Sequence, residues 1–193
     1  LQDKGVLANC NVNVLQTLET KQFTNYQEEL KWLTTDEKRV TYIAKTINTI
    51  ASSGNTLILV DRISAGEMLE KKLPGSVFIS GSTKNPDRKE QYDEVSTATN
   101  KIIIATYGVA SVGINIPRIF NLVLIEPGKS FVRVIQSIGR GIRKAEDKEN
   151  VQIWDITSSC KFAKRHLGAR KKFYKEANYP YNIEKVNYEN PYT

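Results

Sequence analysis

Histidine occurs once in these 193 residues, at His166, and cysteine twice, at Cys10 and Cys160. A single histidine argues against a His-based metal centre and against a Ser-His-Asp triad. Two isolated cysteines make neither a disulfide framework nor a zinc site, and they suit a reducing cytosol. No apolar run approaches the roughly 18 residues that a membrane helix needs. The opening, LQDKGVLANC, lacks the basic head and apolar stretch of a signal peptide. A cytoplasmic protein without a membrane partner is therefore expected. Methionine is also scarce: the only one is Met68, and the chain opens on Leu1, so a piece of a longer protein is expected. Two nucleotide signatures are missing. There is no G-x-x-x-x-G-K-[ST] loop to cradle phosphates and no D-E-x-[DH] box to hold Mg²⁺. No strand-like run is followed by G-x-G-x-x-G, which removes a dinucleotide-binding oxidoreductase. Internal repeats and low-complexity segments are absent.

What is present is a folded, basic chain. Hydrophobic residues make up 40% and charged residues 25%, a globular balance rather than a disordered one. The formal charge of +7 favours a polyanionic partner, because Lys and Arg replace counterions condensed on phosphates. Six strand-like apolar runs stand at residues 12–18, 56–61, 77–80, 101–106, 120–126 and 151–157. Stretches such as LILV, IIIA and LVLI suit strands buried on both faces of a parallel sheet. Helical patterns fall between them. Val40, Ile43, Ile47 and Ile50 recur at helical spacing behind a Thr34–Glu37 capping-box pattern, with Gly54 after them. Ser64 and Glu67 repeat that pattern before Met68, Leu69 and Leu73, and Pro74-Gly75 closes the stretch. A polar helix is expected from about Asn85 through Arg88 and Tyr92. Another starts at Ser130 and carries Val132, Ile135 and Ile138. This alternation predicts an open α/β fold with a mostly parallel sheet and helices on both faces. Ligands in such folds bind beyond the carboxyl ends of the strands, so chemistry is expected in the loops after Asp61, Ser80, Thr106 and Glu126. Residues 1–25 read as a linker or remnant of a preceding domain, 26–178 as the α/β domain, and 179–193 as a surface extension.

Two segments carry a chemical signal. Gln136, Arg140 and Arg143 lie four and three residues apart in Q-x-x-G-R-x-x-R and so share one helix face, and Gly139 permits close approach of a phosphate. Two arginines presented together stabilise charge on a transferring phosphoryl group. By spacing alone, a solvated basic face fits equally well. After the buried strand IIIA, Thr106 is followed by a loop ending in Gly113-Ile114-Asn115-Ile116-Pro117, which puts a hydroxyl and free amides at the sheet rim.

Together these segments resemble the superfamily-2 helicases. ATYGVASVGINIP resembles their motif V, QSIGRGIR their motif VI, TLILVDR their motif IV strand, and FISGST the strand and loop that follow. The resemblance runs from about Tyr26 to about Ser158. It implies a second RecA-like motor domain, with ATP and Mg²⁺ bound mainly by a first RecA-like domain that is the partner of this one. Arg140 and Arg143 would then reach the γ-phosphate as arginine fingers, and Gln136 would couple that site to the moving interface. Gly113 and Asn115 would face the nucleotide cleft. Thr106, with Gly81 and Ser82, would contact the tracked strand. The run as a whole is most similar to phage recombination helicases, which implies branched DNA or RNA–DNA hybrids as substrates in recombination, repair and replication restart, and the host cytoplasm as location. Val112 and Asn115 depart from the pattern, since many relatives carry acids there. A non-catalytic nucleic-acid-binding module stays open as the alternative.

Outside these motifs, the basic segment 161–175 suits either a DNA-binding helix or a solvated face. His166 reads as a surface residue. Trp154, Trp32, Tyr26 and Phe23 read as packing residues. Phe131 and Tyr107 suit packing or base stacking equally.

Overall fold

The computed structural model describes residues 10–81, 83, 87–90, 94, 99–112, 119–129, 131–142 and 151–189. Seven strands form one sheet: β1 (Cys10–Thr17), β2 (Thr56–Val60), β3 (Val77–Ile79), β4 (Ile102–Thr106), β5 (Asn121–Ile125), β6 (Val151–Ser158) and β7 (Tyr181–Val186). Their spatial order is β3-β4-β2-β5-β6-β1-β7, and every pairing is parallel. Among the described residues the bounded helices are α1 (Tyr26–Thr35), α2 (Glu37–Ala51), α3 (Ile63–Lys72), α4 (Tyr107–Ser111), α5 (Phe131–Ile142) and α6 (Lys161–Glu176).

The uninterrupted aliphatic runs have a direct structural reason. Leu57 and Leu59 enter one core layer while Ile58 and Val60 enter the other, and β4 and β5 divide in the same way. A strand covered on both faces needs an apolar side chain at every position. On one face α2 and α3 supply Val40, Ile43, Ile47 and Leu69. On the other, α5 supplies Phe131, Val134, Ile135 and Ile138, and α6 supplies Leu167 and Tyr174.

Adjacent strands β2 and β5 send their chains onward in opposite directions. After β2 the chain passes through α3 to β3, and after β5 it passes through α5 to β6, on the other face. Such a reversal opens a crevice at the carboxyl ends of the two strands.

Several local expectations change. The helix α2 is capped by Asp36, whose carboxylate accepts from the Arg39 amide at 3.1 Å. Thr34 belongs to the end of α1, where its hydroxyl donates to the Leu30 carbonyl. Two helices abut here, so the cap falls in the single residue between them. At α3 the N-cap is Arg62, with no side-chain cap, and Ser64 lies inside the first turn. Val132 is exposed, and Phe131 and Val134 join Ile135 and Ile138 in the core instead. Residues 87–90 are helical, whereas Asn85 and Tyr92 lie outside the described residues. The segment before Tyr26 contributes β1, hydrogen-bonded to β6 on one side and β7 on the other. β7 itself comes from the stretch expected as a surface extension. As an edge strand it is mostly exposed, so it carries no apolar run to reveal it.

Candidate functional site

Register sets the site. Val60 pairs with Thr106 and Ile79 pairs with Ala105, so the chain leaves β2, β4 and β3 at one level of the carboxyl rim. The loops that begin there, at Asp61, at Thr106 and at Ser80-Gly81, stand side by side at the spacing of neighbouring strands, about 4.8 Å. Thr106 is half-buried and caps α4, its Oγ1 accepting from the Val109 amide at 3.2 Å. Its hydroxyl proton remains available to an acceptor outside. Gly81 is exposed, with no atom within 4 Å of where a Cβ would stand. A tight turn shapes this loop: the Thr83 amide donates to the Ser80 carbonyl at 3.1 Å, and the Ser80 amide donates to Thr83 Oγ1 at 3.1 Å. Arg88 donates to the carbonyls of Ser80 and Gly81 at 3.1 and 3.2 Å. Thr106 and Gly81 are thus brought together. Ser82 lies outside the described residues.

The helix α5 carries Gln136 and position 140 of the paired-arginine motif. Its inward face is apolar, while Val132, Arg133 and Gln136 are exposed. Gln136 and position 140 are one turn apart on the same face of the helix. The Arg140 side chain and the whole of Arg143 lie outside the described residues, as do Gly113 and Asn115. Ser137 Oγ donates at 3.1 Å to the carbonyl of Ser111, the last residue of α4, and so ties α5 to the helix that precedes the glycine-bearing loop. Val112, at the start of that loop, is 77% exposed.

Behind the rim lie two buried charged centres that the motif search did not find. Arg39, fully buried, donates to Glu126 at 2.8 Å and to the Thr157 carbonyl at 3.1 Å. It also donates to Thr17 Oγ1 and to the Leu33 carbonyl. Glu126 accepts from Thr157 Oγ1 as well and holds φ at +45°, a left-handed conformation that glutamate adopts only under constraint. Burial pushes its carboxyl up to about 7, while Arg39 and Arg170 act in the opposite sense. In the second centre Arg170 grips Asp155 with two bonds of 2.7 and 2.9 Å, Tyr174 donates to the same carboxylate at 2.7 Å, and Arg170 also donates to the Pro127 carbonyl at 2.7 Å. Burial opposes the charge on Arg170, yet Asp155 raises its pKa above the ordinary arginine value. Tyr107 donates to the Ile125 carbonyl at 2.9 Å. Residues 125–127, which launch α5, are therefore held from three sides. The signal in the sequence was a charge inside or ending an apolar strand: Asp155 in VQIWDITS and Glu126 after NLVLI.

Other residues settle as packing groups. Phe131 lies edge-on to Phe173 and Tyr174. Trp154 is half-buried against the core, and His166 meets Tyr26 edge-on at 4.9 Å. Burial pushes the Cys10 thiol up to about 12 and the Cys160 thiol to about 11, so neither supplies a thiolate nucleophile. Among the described residues there is no cluster able to hold a metal ion, and no helix is long and apolar enough to cross a membrane.

Comparison with known proteins gives this geometry its setting. Over 184 residues the chain is 27% identical to the ATP-dependent DNA helicase uvsW of Enterobacteria phage T4, covering 90% of this chain and 37% of that protein. Over 104 residues it is 30% identical to putative helicase 22 of a Sulfolobus islandicus filamentous virus, covering 52% of this chain and 18% of that one. The chain thus spans little more than a third of the first relative. The crystal structure of T4 UvsW superposes with a TM-score of 0.78 at 23% identity, over 93% of this chain and 42% of that one. The C-terminal domain of the DEAD-box protein Dbp5 superposes with a TM-score of 0.60 at 18% identity, over 94% and 92%. The fold is accordingly the RecA-like α/β fold of helicase C-terminal domains. Residues 37–145, more than half of the chain, match the helicase conserved C-terminal domain, and the chain belongs to that family.

Proposed function

We propose that this chain works as the second motor domain of an ATP-driven superfamily-2 DNA helicase. The observation that carries the reading is the pairing of two surfaces in one rigid frame: the row of loops at Thr106 and Gly81, and the exposed face of α5 with Gln136, joined through Ser137 and Ser111. In this reading residues 26–178 form the body of the motor domain, the flanking segments complete its sheet with β1 and β7, and the residues before β1 lead in from the first motor domain.

ATP and Mg²⁺ are held mainly by that first domain, and hydrolysis supplies the energy for translocation. Arg143 and Arg140 bring guanidinium groups onto the γ-phosphate from this side of the cleft, where planar forks match phosphoryl oxygens. Gln136, one turn before Arg140, couples the nucleotide to closure of the cleft. Gly113 and Asn115 face the nucleotide; Asn115 offers an amide in place of the acid common in the family and serves a ribose hydroxyl without charge. Thr106, Gly81 and Ser82 contact the backbone of the tracked strand through a hydroxyl and free amides, groups that read phosphate rather than sequence. Similarity to a phage DNA helicase supports DNA as the substrate, and the reading extends to branched DNA or RNA–DNA hybrids in recombination, repair and replication restart in the cytoplasm of a host cell.

The division of labour is testable directly. The purified 193-residue chain should turn over no ATP above a protein-free control, whereas the parent protein should hydrolyse ATP and do so faster with DNA. Turnover by the chain alone would contradict the assignment of the phosphate loop and Mg²⁺ to the other domain.

A further inference from the structure

The helix α6 separates its residues sharply by face. Ala163, Leu167, Arg170 and Tyr174 point inward, and the one buried cation among them is neutralised by Asp155. Lys161, Lys164, Arg165, Lys172 and Lys175 are all exposed. The 16 residues of this helix hold seven of the chain's 28 Lys and Arg but only one of its 21 acids, Glu176. Among the described residues, none of the five exposed cations takes part in an ion pair.

Their placement works against the helix itself. Lys161 and Lys164 sit in the first turn, where the helix dipole favours acids, and Lys161–Arg165 is a like-charge pair at i,i+4. The amides of that turn are satisfied from elsewhere: Glu29 of α1 accepts from the Phe162 and Ala163 amides at 3.0 and 2.8 Å. Lys161 and Arg165 both lie 5.5 Å over the ring of Phe162, which holds the two charges together at the start of the helix. Cations kept where they oppose local stability are expected at functional positions.

We infer that the outward stripe of α6 is a second contact surface for the nucleic-acid backbone, separate from the loops at Thr106 and Gly81. Its shape fits that partner. Lys161 to Lys175 spans about 21 Å along the helix at 1.5 Å per residue, or about six steps of a strand at 3.4 Å each. None of the exposed large apolar residues lies on α6. Protein interfaces need a core of apolar or aromatic residues and are poor in lysine, so this stripe suits a phosphodiester chain rather than an acidic protein. The helix begins at the carboxyl rim, directly after β6, and runs away from it. Lys161, Lys164 and Arg165 therefore stand nearest the rim, and the stripe extends the strand's path down the α5 face of the domain.

This inference rests on the motor-domain reading for its partner but fails separately from it. The test is anisotropy of a labelled oligothymidylate with the 193-residue chain across a salt series, with circular dichroism as the check on folding. Reversing Lys161, Lys164, Arg165 and Lys172 to Glu should weaken binding by at least about tenfold and make the log–log salt slope shallower by roughly 3, at about 0.7 per phosphate contact. The milder set of Gln substitutions should move both in the same direction by less. The double variant Lys161→Glu/Arg165→Glu should lose far more than Lys38→Glu/Lys45→Glu, which makes the same charge change on α2 at the opposite face. Equal losses from the two doubles would reduce the stripe to net charge and overturn the inference. So would wild-type affinity in the fourfold variant, or displacement of the DNA by polyglutamate as readily as by unlabelled DNA. None of these results bears on ATP hydrolysis by the parent protein, which tests the motor reading independently.

Discussion

Arg170 and Arg39 show why an arginine in this chain cannot be read from charge alone. Both count toward the basic balance, yet both are buried and spend their donors inside the fold. Arg170 ties Asp155 on β6 to the Pro127 carbonyl, so it braces the segment from which α5 departs. Arg170→Ala leaves Asp155 buried without its cationic partner and should cost about 3–5 kcal/mol; Arg170→Lys should recover only part, because an ammonium cannot make the fork. Urea unfolding of the two variants checks both. Glu126 gives a pH signature. Its carboxyl moves from the ordinary 4.5 to about 7 in the fold, so the folded chain holds a proton that the unfolded chain has released. The stability that this proton contributes is complete below pH 4.5 and is lost as pH rises through about 7. Urea midpoints should therefore fall between pH 5 and 8 for the wild type, and fall less for Glu126→Gln, which stays neutral throughout. Parallel profiles for the two proteins would remove Glu126 from the pH response.

Among the elements, α1 and α6 depend on each other. Glu29, buried in α1, is the acceptor for the first free amides of α6. Glu29→Ala should cost about 1–2 kcal/mol, the usual scale for a lost N-cap, and should appear as faster hydrogen exchange in the first turn of α6 before the rest of the sheet opens; exchange unchanged at Phe162 and Ala163 would contradict it. This link also marks the limit of what was legible beforehand. Six of the seven strands were visible, because five of them carry apolar residues toward both faces and β1 carries enough of the same pattern. β7 was not, because an edge strand needs no such run. α1 escaped notice because its inward side buries Glu29 and Thr34 beside Leu30 and Leu33, which blurs the apolar stripe. The capping signals misplaced two helix starts by two residues each, since Thr34 and Ser64 are followed by an acid at the right spacing but sit inside helices. Of the candidate site, Thr106, Gly81 and Gln136 were singled out through the motif resemblance; Thr106 and Gly81 fall on neighbouring loops of the rim and Gln136 is exposed on α5. The buried charges that brace the segment before α5 were not, because they are distant in sequence: Arg39 and Glu126 are joined across 87 residues.

At the scale of the whole molecule, one sheet carries a rim of loops and an exposed helix face on α5, which the proposed function assigns to a strand and to a partner domain. In the proposed reading, activity requires the first motor domain as the second half of a cleft. A finger acts where charge develops on the transferring phosphoryl oxygens, which ties turnover to closure of that cleft and closure to movement along the strand. The most direct test is the pair of steady-state kcat for ATP and affinity for DNA, measured on the parent protein carrying Arg143→Ala, with Arg140→Ala alongside. The expected result is a fall in kcat on the order of 10³ or more with nucleotide-free DNA affinity little changed. Near-normal kcat at saturating DNA, accompanied by weaker DNA binding, would place Arg143 on a solvated basic face and contradict the assignment of this domain as half of the motor.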